Sequence, residues 1–230
     1  MNVELIQYTP EPEKTVALAA RLCYSPVSIS TLRERVEAAD IETFLDRIMS
    51  LGHHSVLEHA SFTFGIEGIS RVTTHQLVRH RIASFSQQSQ RYVSHKEEFT
   101  SIMPDSIAEN NEARQIFAFM SETVHKAYAQ LMEMGIPAED ARYILPNATE
   151  TKIIMTMNAR ELLHFFALRC CQRAQWEIRE LSIEMLRILK RVAPIIFREA
   201  GPGCVAGACP EGEFCCGQTK EVREYFQNLE

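Results

Sequence analysis

The chain has 230 residues, 46% of them hydrophobic and 23% charged, with a net charge of −6 and a pI near 5.8. This composition supports one sizeable core in a single domain, and the acidic balance speaks against a general nucleic-acid binder, which is normally basic. No apolar run approaches the roughly 18 residues of a membrane-spanning helix, and the first residues lack the basic and apolar regions of a secretory signal, so the seven cysteines are expected as reduced thiols in a cytoplasm.

Pro12 opens a predicted helix whose Val16, Ala19, Ala20 and Cys23 share one face. A second helix is predicted from Thr31, with Thr31 and Glu34 as a capping box, a break near Ala39-Asp40 and Gly52 as its stop. Alternating Phe62, Phe64 and Ile66 predict a half-buried strand, and the residues from Ser70 read as a helix that ends near Arg79. One long helix is predicted over 106–135, with Ile116, Phe119, Met120, Val124 and Leu131 as its apolar face. A short helix before Pro146 and a β-branched strand over 151–157 follow. Residues 158–192 read as one long helix stopped by Pro194, and the Gly- and Cys-rich tail from Gly201 reads as irregular. Long helices with few strands give an α+β class, and no repeat or linker divides the chain.

Between Gly68 and Lys96 there is no Asp or Glu, yet the span holds Arg71, Arg79, Arg81, Arg91, Lys96, His75, His80 and His95. Such a cluster in an acidic protein needs an anion from outside the local segment. Arg suits a phosphate because its planar fork bonds two oxygens at once. Ser84, Ser86 and Ser89 add hydroxyls, and Gln87, Gln88 and Gln90 add amides that suit a base edge or an imide. The pattern fits a nucleotide pocket; the plainer alternative is a solvated helix end that complements the helix dipole.

A second acid-poor stretch starts at Asn158, a natural N-cap, and places Arg160 and His164 on one helix face, with Arg169 and Arg173 also four apart. Arg142 is a further candidate, or else a local ion pair with Glu139. His53, His54, Glu58 and His59 lack the HExxH spacing, so a zinc hydrolase is a weak rival. Cys204, Cys209, Cys215 and Cys216 form no CxxC pair and read as free thiols ahead of a zinc site or a disulfide, while Cys170 and Cys171 read as packing residues.

The run Arg79-His80-Arg81, seven residues, then Ser89-Gln90-Arg91 resembles the signature of the flavin-dependent thymidylate synthases. The resemblance extends through "GHHSVLEHASFTF", "ARYILP", "NARELLHFFALR" and "AQWEI" and spans roughly 15 to 195. It implies an α+β fold like that of the thymidylate synthase complementing proteins, with a central, mostly antiparallel sheet packed with long helices. It also implies a homotetramer whose active sites draw on several chains. FAD would be met by Ser55, Glu58, Arg79, His80, Arg81, Ile82, Asn158, Arg160 and His164. The nucleotide dUMP would be held by Gln76, Arg79, Gln87, Ser89, Gln90, Arg91, Arg142 and Arg169. Arg169, Ser89 and His53 would stand at the reacting centre, His53 on the folate side. Two positions depart from some relatives: Ser86-Gln87 stands for Asn-Glu, and His164 stands for Asn.

The implied reaction is reductive methylation of dUMP to dTMP, with 5,10-methylenetetrahydrofolate as methylene donor and NADPH reducing the flavin. The cofactor carries the difficult chemistry and the protein supplies placement and electrostatics. Ser89 has Gln and Arg as neighbours and no adjacent base, so it is expected to position substrate rather than attack it. Neither nucleic acid nor membrane is an expected partner. From the residues alone, a nucleotide- or RNA-binding module without flavin chemistry remains the alternative; it predicts salt-sensitive affinity and no flavin colour.

Overall fold

The computed structural model describes residues 1–94 and 100–229; His95 and Lys96 of the cationic span lie outside them. The chain opens with β1 (Asn2–Tyr8), α1 (Pro12–Leu22), α2 (Ile29–Glu37) and α3 (Ile41–Ser50). A 3-10 turn (His54–His59) leads to β2 (Ser61–Ser70), α4 (Arg71–Leu77) and β3 (Ala83–Gln87). Then come α5 (Asp105–Ala108), α6 (Asn111–Glu133), α7 (Ala138–Ala141) and β4 (Glu150–Asn158). The last helices are α8 (Ala159–Arg169), α9 (Trp176–Val192), α10 (Pro194–Phe197) and α11 (Thr219–Gln227). The strands form one antiparallel sheet in the order β1-β2-β4-β3, so the α+β expectation holds.

By its internal contacts the chain divides into two compact units. One comprises residues 1–2, 65–79 and 85–154; the other comprises 3–64, 80–84 and the chain from 155.

The second unit holds a dense aromatic core. Phe62, Phe165, Phe166 and Phe197 are fully buried, and Phe62 and Phe166 both meet Phe197 edge to face, at 5.6 and 6.0 Å. Each such ring contributes on the order of 1.5–3 kcal/mol by leaving water. α1 packs on α2 and α3, and α8 packs on α9. Pro12 opens α1 as predicted, and Gly52, at φ 75, follows α3 in the left-handed conformation that stops a helix. The cap of α2 differs from expectation. Ser28, not Thr31, takes the role, its Oγ accepting from Thr31 N at 3.3 Å. The break near Asp40 is real, because Asp40 Oδ1 accepts from Glu42 N at 3.0 Å and starts α3.

In the first unit α6 is shorter than the predicted helix. Asn110 Oδ1 accepts from Glu112 N at 3.0 Å and from Ala113 N at 3.1 Å, which starts a new helix there. Its expected apolar face is only partly buried, at Val124 and Leu131. Ile116 and Phe119 are each 66% exposed and Met120 is exposed too, whereas Tyr128 is buried. Gly68 adopts φ 70 while Met1 Cα would lie 3.2 Å from any Cβ placed there, so both conformation and space call for glycine.

The helix predicted over 158–192 is two helices. Gln175 Oε1 accepts from Glu177 N and Ile178 N, both at 3.1 Å, and so begins α9 after a turn. The tail is not irregular throughout, since α11 lies within it; its Arg223 Nε donates to the carbonyl of Cys204 at 2.7 Å. β1 escaped the sequence reading because most of its residues are exposed and its alternation is weak.

Candidate active site

In the first unit, α4, β3 and the segment after it, and Arg142 carry the nucleotide candidates other than Arg169, which lies on α8 in the second unit. Ser70 Oγ accepts from Thr73 N at 3.2 Å and caps α4, which sets Arg71 in its first turn and Gln76 near its end. Arg71 Nη2 donates to Gln88 O at 3.1 Å, while its buried Nε–H has no partner among the described residues. Burial, and then the like charge of Arg142, hold the Arg71 guanidinium below the usual arginine range. Two cations with this little compensation among the described residues favour an anion.

The Gln87 amide donates to Thr74 Oγ1 at 3.1 Å and to Thr151 Oγ1 at 3.3 Å, so its carbonyl oxygen is what it offers a ligand. Gln90 is buried. Ser89 Oγ accepts from Arg91 N at 3.2 Å in a local turn. Arg91 Nε meets Glu139 Oε2 at 2.8 Å. Arg142 does not pair with that carboxylate as the sequence suggested; its Nε donates to the Glu139 carbonyl at 3.0 Å. Arg79, exposed, donates from Nε to His75 O at 3.3 Å.

The second unit holds the flavin candidates other than Arg79. Exposed His53 and Ser55 flank the start of the 3-10 turn, and Glu58 within that turn meets Arg160 Nη1 at 2.5 Å. Asn158 caps α8, its Oδ1 accepting from Glu161 N at 2.9 Å. Arg81 and Ile82 are exposed, Ile82 by 65%. A cavity of about 760 Å³ beside α3, α8 and α10 is lined by residues that include His54, Met49, Leu163 and Ile195. None of the expected flavin residues lines it.

His80 is the least exposed of the signature's charged residues, at 4%, and Glu161 is 7% exposed. His80 Nδ1 lies 3.0 Å from Glu161 Oε1, and Arg169 Nε donates to His80 Nε2 at 3.1 Å. A guanidinium only donates, so Nε2 must accept, and the ring proton sits on Nδ1 facing the carboxylate. Burial lowers the His80 pKa first, and the Arg169 charge lowers it further against the raising effect of Glu161. The imidazole is therefore neutral near pH 7. Both ring nitrogens are engaged inside the protein. The His164 ring stands edge-on to His80 at 5.8 Å.

Sequence reasoning gave no role to two of these residues. Glu161 was visible only as the lone acid of its stretch, and Arg71 only as the first cation of an acid-free one. The cysteines are free thiols, and Cys170, as expected, is a buried packing residue whose thiol is pushed up to about 12. Among the described residues no group of three or more His, Cys, Asp or Glu is arranged to hold a metal ion, and no helix is long and apolar enough to cross a membrane.

The family model described as thymidylate synthase complementing protein matches residues 4–195. A flavin-dependent thymidylate synthase of Geobacter sulfurreducens is 61% identical, covering 100% of this chain and 99% of its own length. Proteins of the same name from Clostridium tetani and Pyrococcus horikoshii are 50% and 47% identical, covering 98% and 100% of this chain and 97% and 98% of their own lengths.

Proposed function

Because the chain belongs to the thymidylate synthase complementing protein family, that of the flavin-dependent thymidylate synthases, we propose how its residues carry out the methylation of dUMP to dTMP. It is a flavin-dependent enzyme of dTMP biosynthesis. In our reading the whole chain acts as one synthase domain in the cytoplasm. The flavin is FAD, 5,10-methylenetetrahydrofolate gives the methylene, and NADPH gives the reducing equivalents. The seven free thiols are in keeping with a reducing compartment.

The observation that carries the nucleotide assignment is Arg71, partly buried beside the like charge of Arg142 with one N–H unpartnered among the described residues. An anion there offsets the cost of burying that charge. Arg71, Arg91 and Arg142 would meet the dUMP phosphate. Gln76, Gln90, Ser89 and the Gln87 carbonyl would meet the uracil edge. Ser89, whose hydroxyl already closes a turn, positions the nucleotide and forms no covalent bond.

In the second unit the donors fit FAD. Arg81 and Arg160 offer charge and hydrogen bonds to a pyrophosphate, His164 and Ser55 offer hydrogen bonds, and exposed Ile82 offers an apolar surface to a flat ring. When bound, the flavin supplies the electrons that reduce the transferred carbon. Arg169 would stabilise negative charge as the uracil ring gains electron density, a role suited to a fixed donor in a dry site. His53 would lie on the folate side.

Exposed Ile116 and Phe119 on α6 support a homotetramer, since apolar faces of this kind are normally covered. Sedimentation of wild type and of Phe119→Ser tests this: a wild-type monomer rejects it, and a smaller species for the variant supports it.

The central experiment is a visible spectrum of the protein with FAD, followed by anaerobic NADPH with and without dUMP and then an assay for dTMP with the folate. Flavin bleaching that responds to dUMP, with dTMP formed, is expected. Absence of flavin binding would reject this reading.

A further inference from the structure

Glu161 is a buried acid that the proposed function does not use. It lies on α8 two turns before Arg169, and both side chains meet the same imidazole. On one side of His80, Glu161 Oε1 faces Nδ1 at 3.0 Å; on the other, Arg169 Nε donates to Nε2 at 3.1 Å. The two contacts depend on each other through the tautomer. With its proton on Nδ1 the ring donates to the carboxylate and accepts from the guanidinium. With its proton on Nε2, that N–H would point at the Arg169 N–H, and Nδ1 would present a lone pair to the carboxylate. An ionised carboxylate accepts only and a guanidinium donates only, so the outer partners together select one tautomer. The site is dry enough for this selection to matter, since His80 and Glu161 are both buried and hydrogen bonds to charged groups strengthen as water is excluded.

Asn158 adds to the rigidity. It caps α8 by accepting from the Glu161 main-chain N–H at 2.9 Å, so the backbone that carries the carboxylate is held at the first turn. Phe165 closes another side of the imidazole, edge-on at 5.0 Å. The other titratable or charged groups against His80 are Arg169 and His164, and both come from α8 as well.

We propose that Glu161 is a positioning residue for the methylation: acting through His80, it holds the Arg169 guanidinium in the orientation that receives the nucleotide. This rests on the reading that Arg169 meets dUMP. Nothing in the motif itself points to it, because Glu161 is 81 residues away from His80 in the chain.

The first test needs no variant. Nitrogen-15 NMR of histidine-labelled enzyme should give a protonated, pyrrole-type Nδ1 and an unprotonated, pyridine-type Nε2 for His80 near pH 7. A ring protonated on Nε2, or on both nitrogens, overturns the proposal. The second test is kinetic, with Glu161→Gln and Arg169→Ala. In Glu161→Gln the new side-chain amide can donate to Nδ1, which lets the ring take its proton on Nε2 and turn it against Arg169. Glu161→Gln is expected to raise KM for dUMP about tenfold, the loss of one hydrogen bond to a charged group, with a smaller change in kcat. Arg169→Ala should raise it at least as far.

If Arg169→Ala raises KM and Glu161→Gln leaves it unchanged, the positioning role is overturned while the Arg169 reading stands. If neither variant changes it, the Arg169 reading fails and takes the proposal with it. A folding defect separates from both, because a merely destabilised Glu161→Gln lowers the amount of active enzyme without raising KM.

Discussion

The region around Arg71 in the first unit and the region around His80 in the second both take a basic side chain at least partly out of water, and they treat it in opposite ways. His80 is closed: each ring nitrogen has a partner, and the acid that completes the set is buried beside it. Arg71 is open: one N–H is buried without a partner among the described residues, and the charge nearest in effect is the like charge of Arg142. A closed set is rigid and already satisfied, so it suits orientation of a neighbour. An open set carries a cost that a ligand can remove, so it suits binding.

That contrast can be broken most sharply at Arg169, which the closed set holds out. Arg169→Ala is expected to lower kcat/KM for dTMP formation by on the order of 100-fold or more, the usual cost of losing one fixed donor to developing charge, while flavin binding survives. Steady-state assay and flavin titration check it. Losing flavin as well would mean that the closed set holds cofactor rather than nucleotide.

Next comes Glu161→Ala. It leaves His80 Nδ1–H buried without an acceptor, and urea unfolding should show a loss of about 1–3 kcal/mol. The open set should behave in the reverse sense. Arg71→Met removes a poorly compensated charge, so the ligand-free protein should be no less stable, while the thermal stabilisation given by dUMP should shrink. Calorimetry with and without dUMP reads both quantities at once.

The pH dependence probes the closed set alone. The folded state keeps His80 neutral below the ordinary value of 6.5, so as pH falls through 6.5 the unfolded chain takes up a proton that the folded chain refuses. Stability is therefore fully present above 6.5. It should fall as pH is lowered from there to the depressed folded value, with a slope of at most about 1.4 kcal/mol per pH unit from this one group. His80→Gln should flatten that part of the profile. The smallest effect belongs to the exposed pair of Arg91 and Glu139. Glu139→Gln should change stability by less than about 1 kcal/mol, and the change should vanish in high salt.

Much of this architecture was legible because it is local. Pro12, Gly52 and the alternation of Phe62, Phe64 and Ile66 mark their elements through backbone conformation and side-chain period alone. The family signature from Arg79 to Arg91 named several of the candidate residues for the same reason, since it is a contiguous string. Breaks made by an amide cap were harder. Asn110 and Gln175 start new helices inside runs whose apolar pattern continues across them, and periodicity does not register a capping hydrogen bond.

The partners of the cations were beyond the sequence altogether. An acid-free span from 68 to 96 read as uncompensated charge, yet Glu139 reaches Arg91 and Glu161 reaches His80 from far along the chain. By itself the sequence determined the class of the fold, the order of most elements and which side chains to suspect, because propensity, period and motif act over a few residues. Tertiary structure decided which charges are answered and which tautomer His80 adopts. It also left Ile116, Phe119 and Met120 on α6 exposed among the described residues. Those outcomes depend on burial and on distances between residues that only the folded chain brings together.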